Sequence, residues 1–246
     1  MKNGNSTPKS NVNYIYGRIP SLNCLEVSKV KNVFLQHNFS DKQLLAFISE
    51  KGITPKYVDF ETLNKMSNHG NHQGIIVETY PYEYASVNEI IESAKGKKQP
   101  LILILDEIED PHNFGAILRC ADAFSVDGVI IKNKNQVPIN STVAKVSTGA
   151  IEYVKVAQVS NLNNLISILK ENGYWIYAAD GSGKDSYEKV DYSGPIALIV
   201  GSEGRGISQL VMKNSDFIIK IPMTGHVNSL NVSVSTGILL SRIRNK

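Results

Sequence analysis

Between residues 100 and 221 the chain alternates unbroken apolar runs with helical stretches, and this constrains the fold more than any other feature. Residues 101–105, 128–131, 153–157, 174–179, 196–200 and 217–221 read as strands. Residues 114–124, 162–172 (stopped by Gly173) and a stretch after Gly206 read as helices. A strand that is apolar at every position, rather than at alternate ones, is covered on both faces. The pattern therefore predicts an α/β domain built on a parallel sheet with helices on either side. In such sheets ligands bind beyond the carboxyl ends of the strands, so the loops after the strands are where chemistry is expected.

Three of those loops carry it. In the first, Ile117, Cys120, Ala121 and Phe124 form the buried stripe of a helix by 3.6-residue periodicity, widened by Phe114 and Leu118, which leaves Gly115, Arg119 and Asp122 opposite. Helical side chains lean toward the N-terminus. Arg119 is thus expected to reach back over Gly115 toward Asn113 and the free amides of the helix start, a set that favours a phosphate. The bland alternative is a surface arginine paired with Asp122, worth about 0.2–0.5 kcal/mol. Arginine is scarce, five residues against 21 lysines, which weighs toward function. In the second loop Gly201, Gly204 and Gly206 surround Glu203 and allow a sharp turn against a ligand. The spacing is not that of a dinucleotide fold, and Glu203 would repel a pyrophosphate, so an uncharged or cationic ligand is favoured over a nicotinamide cofactor. The stretch 181–184 imitates a phosphate loop but has Ala178 and Asp185 where glycine and a hydroxyl are required. The third loop passes Pro222 and Gly225 into a helix, about 229–241, without charge before Arg242. A surface helix carries charge on one side. This one is expected to be buried nearly all round, with Ser233, Ser235, Thr236 and Gly237 at close approaches and Ser229 or Asn231 as cap.

Residues 14–80 form a second, smaller α/β pattern, with strands at 33–35, 57–58 and 74–78 and a helix over 41–51 capped by Ser40. Residues 81–99 read as a linker with one short helix, and residues 1–13 as a disordered tail, leaving domains at 14–80 and 100–246. His69 and His72 are metal ligands by type, but no third ligand is nearby and Gly70 and Gly74 suggest a turn. Cys24 and Cys120 fit neither a disulfide framework nor a zinc site; Cys120 reads as a small buried hydrophobe in a reducing cytoplasm. No metal, membrane span or secretion signal is expected. The net charge of +3 is compatible with a nucleic-acid partner without arguing for one. Arg18, Lys97 and Lys98 are candidate phosphate contacts.

Taken together, residues 113–119, 201–204 and 221–231 resemble the three motifs of the SpoU (TrmH-like) family of RNA 2′-O-ribose methyltransferases. The first unit, with Tyr16, Gly17 and the stretch 72–74, is similar to the L30e-like substrate-binding domain of many members. The resemblance implies a C-terminal segment threaded as a trefoil knot, although general rules make knots rare. It implies S-adenosylmethionine held at Gly201, Ile221 and Leu230. It also implies a homodimer with its site at the interface, Asn113, Arg119, Glu203, Ser229 and Asn231 as catalytic residues, and an RNA substrate, a guanosine of 23S rRNA. Arginine is hardly ever deprotonated, so Arg119 is expected to orient a phosphate and stabilise alkoxide charge rather than act as base. The competing readings are a tRNA methyltransferase of the same family, a non-catalytic RNA-binding assembly factor and, disfavoured by its glycine spacing, a dinucleotide oxidoreductase.

Overall fold

The computed structural model describes residues 13–27 and 29–245. Of the stretch read as a tail, residues 1–12 lie outside the described residues, and Asn13 opens the first strand. The chain divides into two compact units, 1–83 and 84–246.

The first unit comprises β1 (Asn13–Tyr16), α1 (Arg18–Val27), β2 (Val30–Gln36), α2 (Lys42–Glu50), β3 (Lys56–Val58), α3 (Phe60–Met66) and β4 (Ile75–Thr79). The sheet runs β1-β4-β2-β3, with β4 antiparallel to both neighbours and β2 parallel to β3. Val33, Leu35, Ile75 and Val77 share one face and pack on Cys24, Leu25, Leu44 and Ile48. Asp41, not Ser40, caps α2: its Oδ1 accepts from the Leu44 amide at 3.1 Å, the third-residue reach that a cap requires. Helix α1 escaped the sequence reading because of Pro20, which is tolerated in the first turn, where the N–H has no helical acceptor. Helix α3 escaped because only Leu63 of it is buried. The central strand β4 encloses Glu78, whose carboxylate accepts from Lys31 Nζ at 2.8 Å and Asn32 Nδ2 at 2.6 Å.

In the second unit α4 (Val87–Ala94) precedes β5 (Leu101–Asp106), α5 (Pro111–Ala123), β6 (Gly128–Lys132), α6 (Ser141–Val146), β7 (Val156–Val159), α7 (Leu162–Glu171) and β8 (Trp175–Ala179). There follow β9 (Asp185–Ser186), β10 (Ile196–Gly201), α8 (Gln209–Asn214), β11 (Phe217–Lys220) and α9 (Val232–Arg244). The seven strands are parallel in the order β7-β6-β5-β10-β8-β11-β9. Every residue of β5 is buried, as its unbroken apolar run predicts. Ile102, Ile104, Ile130, Ile176 and Ile199 pack on α4, α7 and α8 on one face. Helices α5, α6 and α9 lie together, and α9 touches β10.

Three expectations are corrected here. The short helix expected within the linker is α4, opened by a capping box between Ser86 and Glu89, but Ile90, Ile91 and Ala94 are buried, so it belongs to the second unit's core rather than to a linker. The strand expected at 153–157 starts at Val156, because a 3-10 turn, Ala150–Glu152, after Gly149 (φ 90°) uses the preceding residues and leaves Tyr153 exposed. Helix α9 is not enclosed all round: Val232, Thr236, Leu239, Leu240 and Ile243 are buried, while Val234 is half exposed and Ile238 half-buried. A single chain thus leaves an uncharged strip of α9 open. Its far end is fixed by Arg244, whose Nε, Nη1 and Nη2 donate to the carbonyls of Phe124 (2.8 Å), Gln99 (2.7 Å) and Ser125 (2.5 Å).

Candidate active site

Helix α5 opens with Asp110 accepting from the His112 amide at 2.9 Å and Pro111 in the first turn, which fixes the direction from which Asn113 projects. Strand β10 runs into a loop that folds on itself: the Gly206 amide donates to the Ser202 carbonyl at 3.0 Å. A Cβ on Gly201 would stand 2.2 Å from the Gly206 carbonyl carbon, so the loop's own backbone demands glycine there. Asn231 caps α9, its Oδ1 accepting from the amides of Ser233 (2.9 Å) and Val234 (3.4 Å).

These three starts meet at one point. The Asn231 side-chain amide donates to Asn113 Oδ1 at 2.9 Å and to Glu203 Oε1 at 2.7 Å, and Glu203 Oε1 also accepts from the Val232 amide at 3.2 Å. Asn231 has both amide hydrogens and its oxygen engaged, so it organises the junction. Among the described residues the Asn113 amide hydrogens and Glu203 Oε2 make no further hydrogen bond and stay available to a ligand.

The junction divides two cavities. The larger, about 720 Å³, lies beyond the carboxyl ends of β8, β10 and β11 and is lined by Gly201, Ile221 and Leu230 together with Asp180, Met223 and Ser229. The smaller, about 290 Å³, is lined by Glu107, Asp110, Asn113 and Arg205. Ser202, Glu203 and Val232 border both, and Ser202 Oγ is buried there without a hydrogen-bond partner. Glu107, in a left-handed conformation (φ 64°), accepts from Lys132 Nζ at 2.7 Å and pairs with Arg205 at 3.5 Å. The bond from Lys132, then that from Asn135, holds its carboxyl below the usual value.

Arg119 is exposed on α5, and among the described residues it makes neither the expected contact with Asn113 nor the ion pair with Asp122 that was the bland alternative. Gly115 does not lie open beneath it. It is buried against α6, where a Cβ would meet Val146 Cβ at 2.6 Å; periodicity marks which positions differ from the stripe but not that a second helix covers them. Cys120 is half-buried, with Gly237 in contact and burial raising its thiol pKa. Ser229 is not a cap but an exposed residue at the rim of the larger cavity. Arg18 pairs with Asp41 at 3.5 Å and lies over the Phe39 ring; Lys97 is bound to Asp127; Lys98 is exposed. The loop after β8 also lines the larger cavity through Asp180 and Gly181, as the rule for strand ends requires. Among the described residues no cluster of three or more His, Cys, Asp or Glu could hold a metal, and no helix is long and apolar enough to cross a membrane.

Comparison with known proteins bears on this arrangement. Residues 100–241 match the description of the SpoU rRNA Methylase family, and residues 14–85 match that of the RNA 2′-O ribose methyltransferase substrate-binding domain. The chain is 42% identical over 206 residues (83% of this chain, 82% of the relative) to the "Putative TrmH family tRNA/rRNA methyltransferase YacO" of Bacillus subtilis (strain 168). A solved TrmH/SpoU tRNA-modifying enzyme of A. aeolicus is 31% identical, covering 64% of this chain and 80% of that one with a TM-score of 0.56. The fold of an AdoMet-bound rRNA methyltransferase from Sinorhizobium meliloti is similar as well (TM-score 0.66, 22% identity, 95% and 87% covered). With the family description matched across the sheet and all three converging loops, and a close relative aligned through both units, this chain belongs to the SpoU family of RNA methyltransferases.

Proposed function

We propose that the chain transfers a methyl group from S-adenosylmethionine to a ribose 2′-oxygen of RNA, with a guanosine of 23S rRNA as acceptor, and that it works as a homodimer. The observation that carries this reading is the Asn113–Asn231–Glu203 junction at the rim of the larger cavity. The residues present fit the methyl donor. The cavity is of ordinary ligand size, about 300–1,000 Å³ being usual. Val200, Ile221, Leu230 and Leu239 offer apolar walls, and Asp180 and Glu203 outweigh Lys220 in charge, which suits a sulfonium cation. The unpartnered Ser202 Oγ awaits a polar ligand atom.

When bound, S-adenosylmethionine supplies an electrophilic methyl group; the protein's task is alignment and charge. Gly201, Ile221 and Leu230 hold the donor. Asn231 fixes Asn113 and Glu203, so that the Asn113 amide and the Ser229 hydroxyl face the acceptor ribose. Arg119 lies six residues, about 9 Å, along α5 from Asn113. Leaning back toward the helix start, its side chain would hold the backbone phosphate beside the acceptor and stabilise alkoxide charge as the 2′-proton leaves to water or a neighbouring group and S-adenosylhomocysteine is released. Arg119→Lys is expected to keep substantial turnover with an unshifted pH–rate profile; loss or displacement of the basic limb would give Arg119 the role of base.

The first unit, with Arg18, positions the RNA, and Lys98 is a further phosphate contact. The open strip of α9 around Val234 and Ile238 is the face we assign to the second subunit. The C-terminal segment is read as knotted because the family resemblance implies it, and the placement of the late strands β10 and β11 between strands laid down earlier is compatible with such threading.

The test is to map ribose methylation in RNA from cells with and without the gene, and to assay transfer from labelled S-adenosylmethionine to purified rRNA and tRNA. A lost guanosine mark in 23S rRNA is expected. A lost tRNA mark would favour the tRNA reading, and unchanged methylation a non-catalytic binder.

A further inference from the structure

The first unit gathers its unusual features at one end of its sheet, where β1, β2 and β3 finish and β4 begins. Its exposed large apolar side chains among the described residues are Tyr16 (39%), Ile19 (71%), Tyr57 (49%), Phe60 (50%) and Tyr80. Four of the five are at this end; only Tyr80, after β4, is at the other. The rings are held in place: Tyr57 stacks with His37 (6.4 Å between centroids, 22° between planes), and Phe60 packs on His72 at 5.0 Å. Asp59, between Tyr57 and Phe60, is engaged as the cap of α3 through its bond from the Thr62 amide. The neighbouring loop is equally fixed. Asn68, His69, Gln73 and Gly74 are left-handed (φ 51° to 80°), the Arg18 amide donates to Gln73 Oε1 at 2.8 Å, and Gly70 lies where a Cβ would strike the Tyr16 ring at 2.6 Å.

Charge decides between two ways of holding RNA. Residues 13–83 carry seven Lys or Arg and seven Asp or Glu, and Lys2 and Lys9 raise residues 1–83 only to +2, so this unit has little net attraction for a polyanion. Duplex RNA is gripped largely through its phosphates and 2′-hydroxyls, and that binding needs cations. Unpaired bases stack on exposed aromatic planes regardless of sequence and without charge. Rings half exposed and already oriented, beside the exposed amides of Asn71 and Gln73, match the second mode.

We infer that this end of the sheet is the unit's RNA contact, and that Tyr57 and Phe60 are platforms on which unpaired nucleotides of the substrate stack. The inference rests on the reading of the chain as an RNA methyltransferase and adds to it where, and in what conformation, the first unit holds the substrate.

The test uses the full chain and a labelled, unstructured oligoribonucleotide, alone and annealed to its complement. The single strand should bind at least several-fold more tightly than the duplex. Tyr57→Ala and Phe60→Ala should each weaken that binding and raise the KM for substrate RNA roughly 5- to 100-fold, with kcat and S-adenosylmethionine affinity unchanged. Tyr57→Phe keeps the plane and should restore tight binding, whereas Tyr57→Leu, of similar bulk but no ring, should not. Because stacking carries little charge, the deficit should be similar at low and high salt. Equal affinity for strand and duplex, or an active enzyme whose alanine variants keep the wild-type KM, would overturn the inference and leave the proposed function standing. Loss of self-association or of a protein partner in the alanine variants, with RNA affinity intact, would overturn it too. An enzyme that binds the strand through these rings but methylates no RNA would instead remove the proposed function.

Discussion

Asn231 does two jobs that a pair of substitutions separates. Its oxygen caps α9, and its amide ties Glu203 to Asn113. Asn231→Ala removes both. Losing the cap destabilises the protein by about 1 kcal/mol, within the usual 0.5–2 kcal/mol for such replacements. Asn231→Asp keeps an oxygen in the capping position but replaces the donor 2.7 Å from Glu203 Oε1 with a second carboxylate. Two unit charges about 4 Å apart repel by about 1 kcal/mol in water and about 4 kcal/mol at the effective dielectric of a protein surface. Both side chains are exposed, which places the value toward the lower limit. The two deficits are similar in size but differ in origin. Urea unfolding at about 50 mM and 500 mM salt separates them, since repulsion between exposed charges is screened and loss of a cap is not. The Asn231→Asp deficit should shrink at high salt and that of Asn231→Ala should persist. Both variants should lose methyl transfer heavily, because Asn113 and Glu203 are no longer held together. Wild-type stability of Asn231→Asp at low salt, with full activity, would refute the claim that the amide bridge organises the site.

Other consequences follow from the packing. Gly115→Ala gains about 1 kcal/mol in helix propensity, but the new methyl group meets Val146 Cβ at 2.6 Å and the Val143 carbonyl at 3.0 Å; overpacking of about 1–3 kcal/mol should prevail, and Val146→Ala in the same chain should recover part of it in chemical denaturation. Arg244→Met should lower stability by about 2–3 kcal/mol, since three carbonyls lose a charged donor; a midpoint within error of wild type would show that water replaces it. Buried His72, whose Nδ1 accepts from the Gly74 amide at 3.1 Å, has its pKa lowered from the ordinary 6.5 by burial. The unfolded chain then binds the proton more readily, so stability falls as the pH drops through about 6.5 toward the folded value, with a slope of at most about 1.4 kcal/mol per pH unit. His72→Gln should flatten that slope in urea titrations between pH 7 and 5.

The order of strands and helices after residue 100 was legible because burial on both faces leaves short apolar runs bounded by turn residues and separated by helical stretches, and β5 and β10 came out where those runs lie. The three loops were legible because parallel sheets place ligands beyond their strand ends. Asn113, Glu203 and Asn231 could be nominated from the sequence, but only the tertiary structure brought them within hydrogen-bond distance, since 28 residues separate the last two and 118 the outer pair. The same limit explains the errors. Gly115 looked like open space and is a contact with α6. The stretch at 81–99 reads as a linker with one short helix; the helix is there, but its three buried side chains pack it into the second unit's core, a distant contact that no local pattern shows. Helix α9 looked enclosed and is open along Val234. Sequence by itself determined what must leave water and which side chains have unusual chemistry, since both are properties of single residues and near neighbours. Which distant groups share hydrogen bonds, and which apolar strip stays uncovered in one chain, was decided by the fold, because those depend on distances that no local pattern encodes.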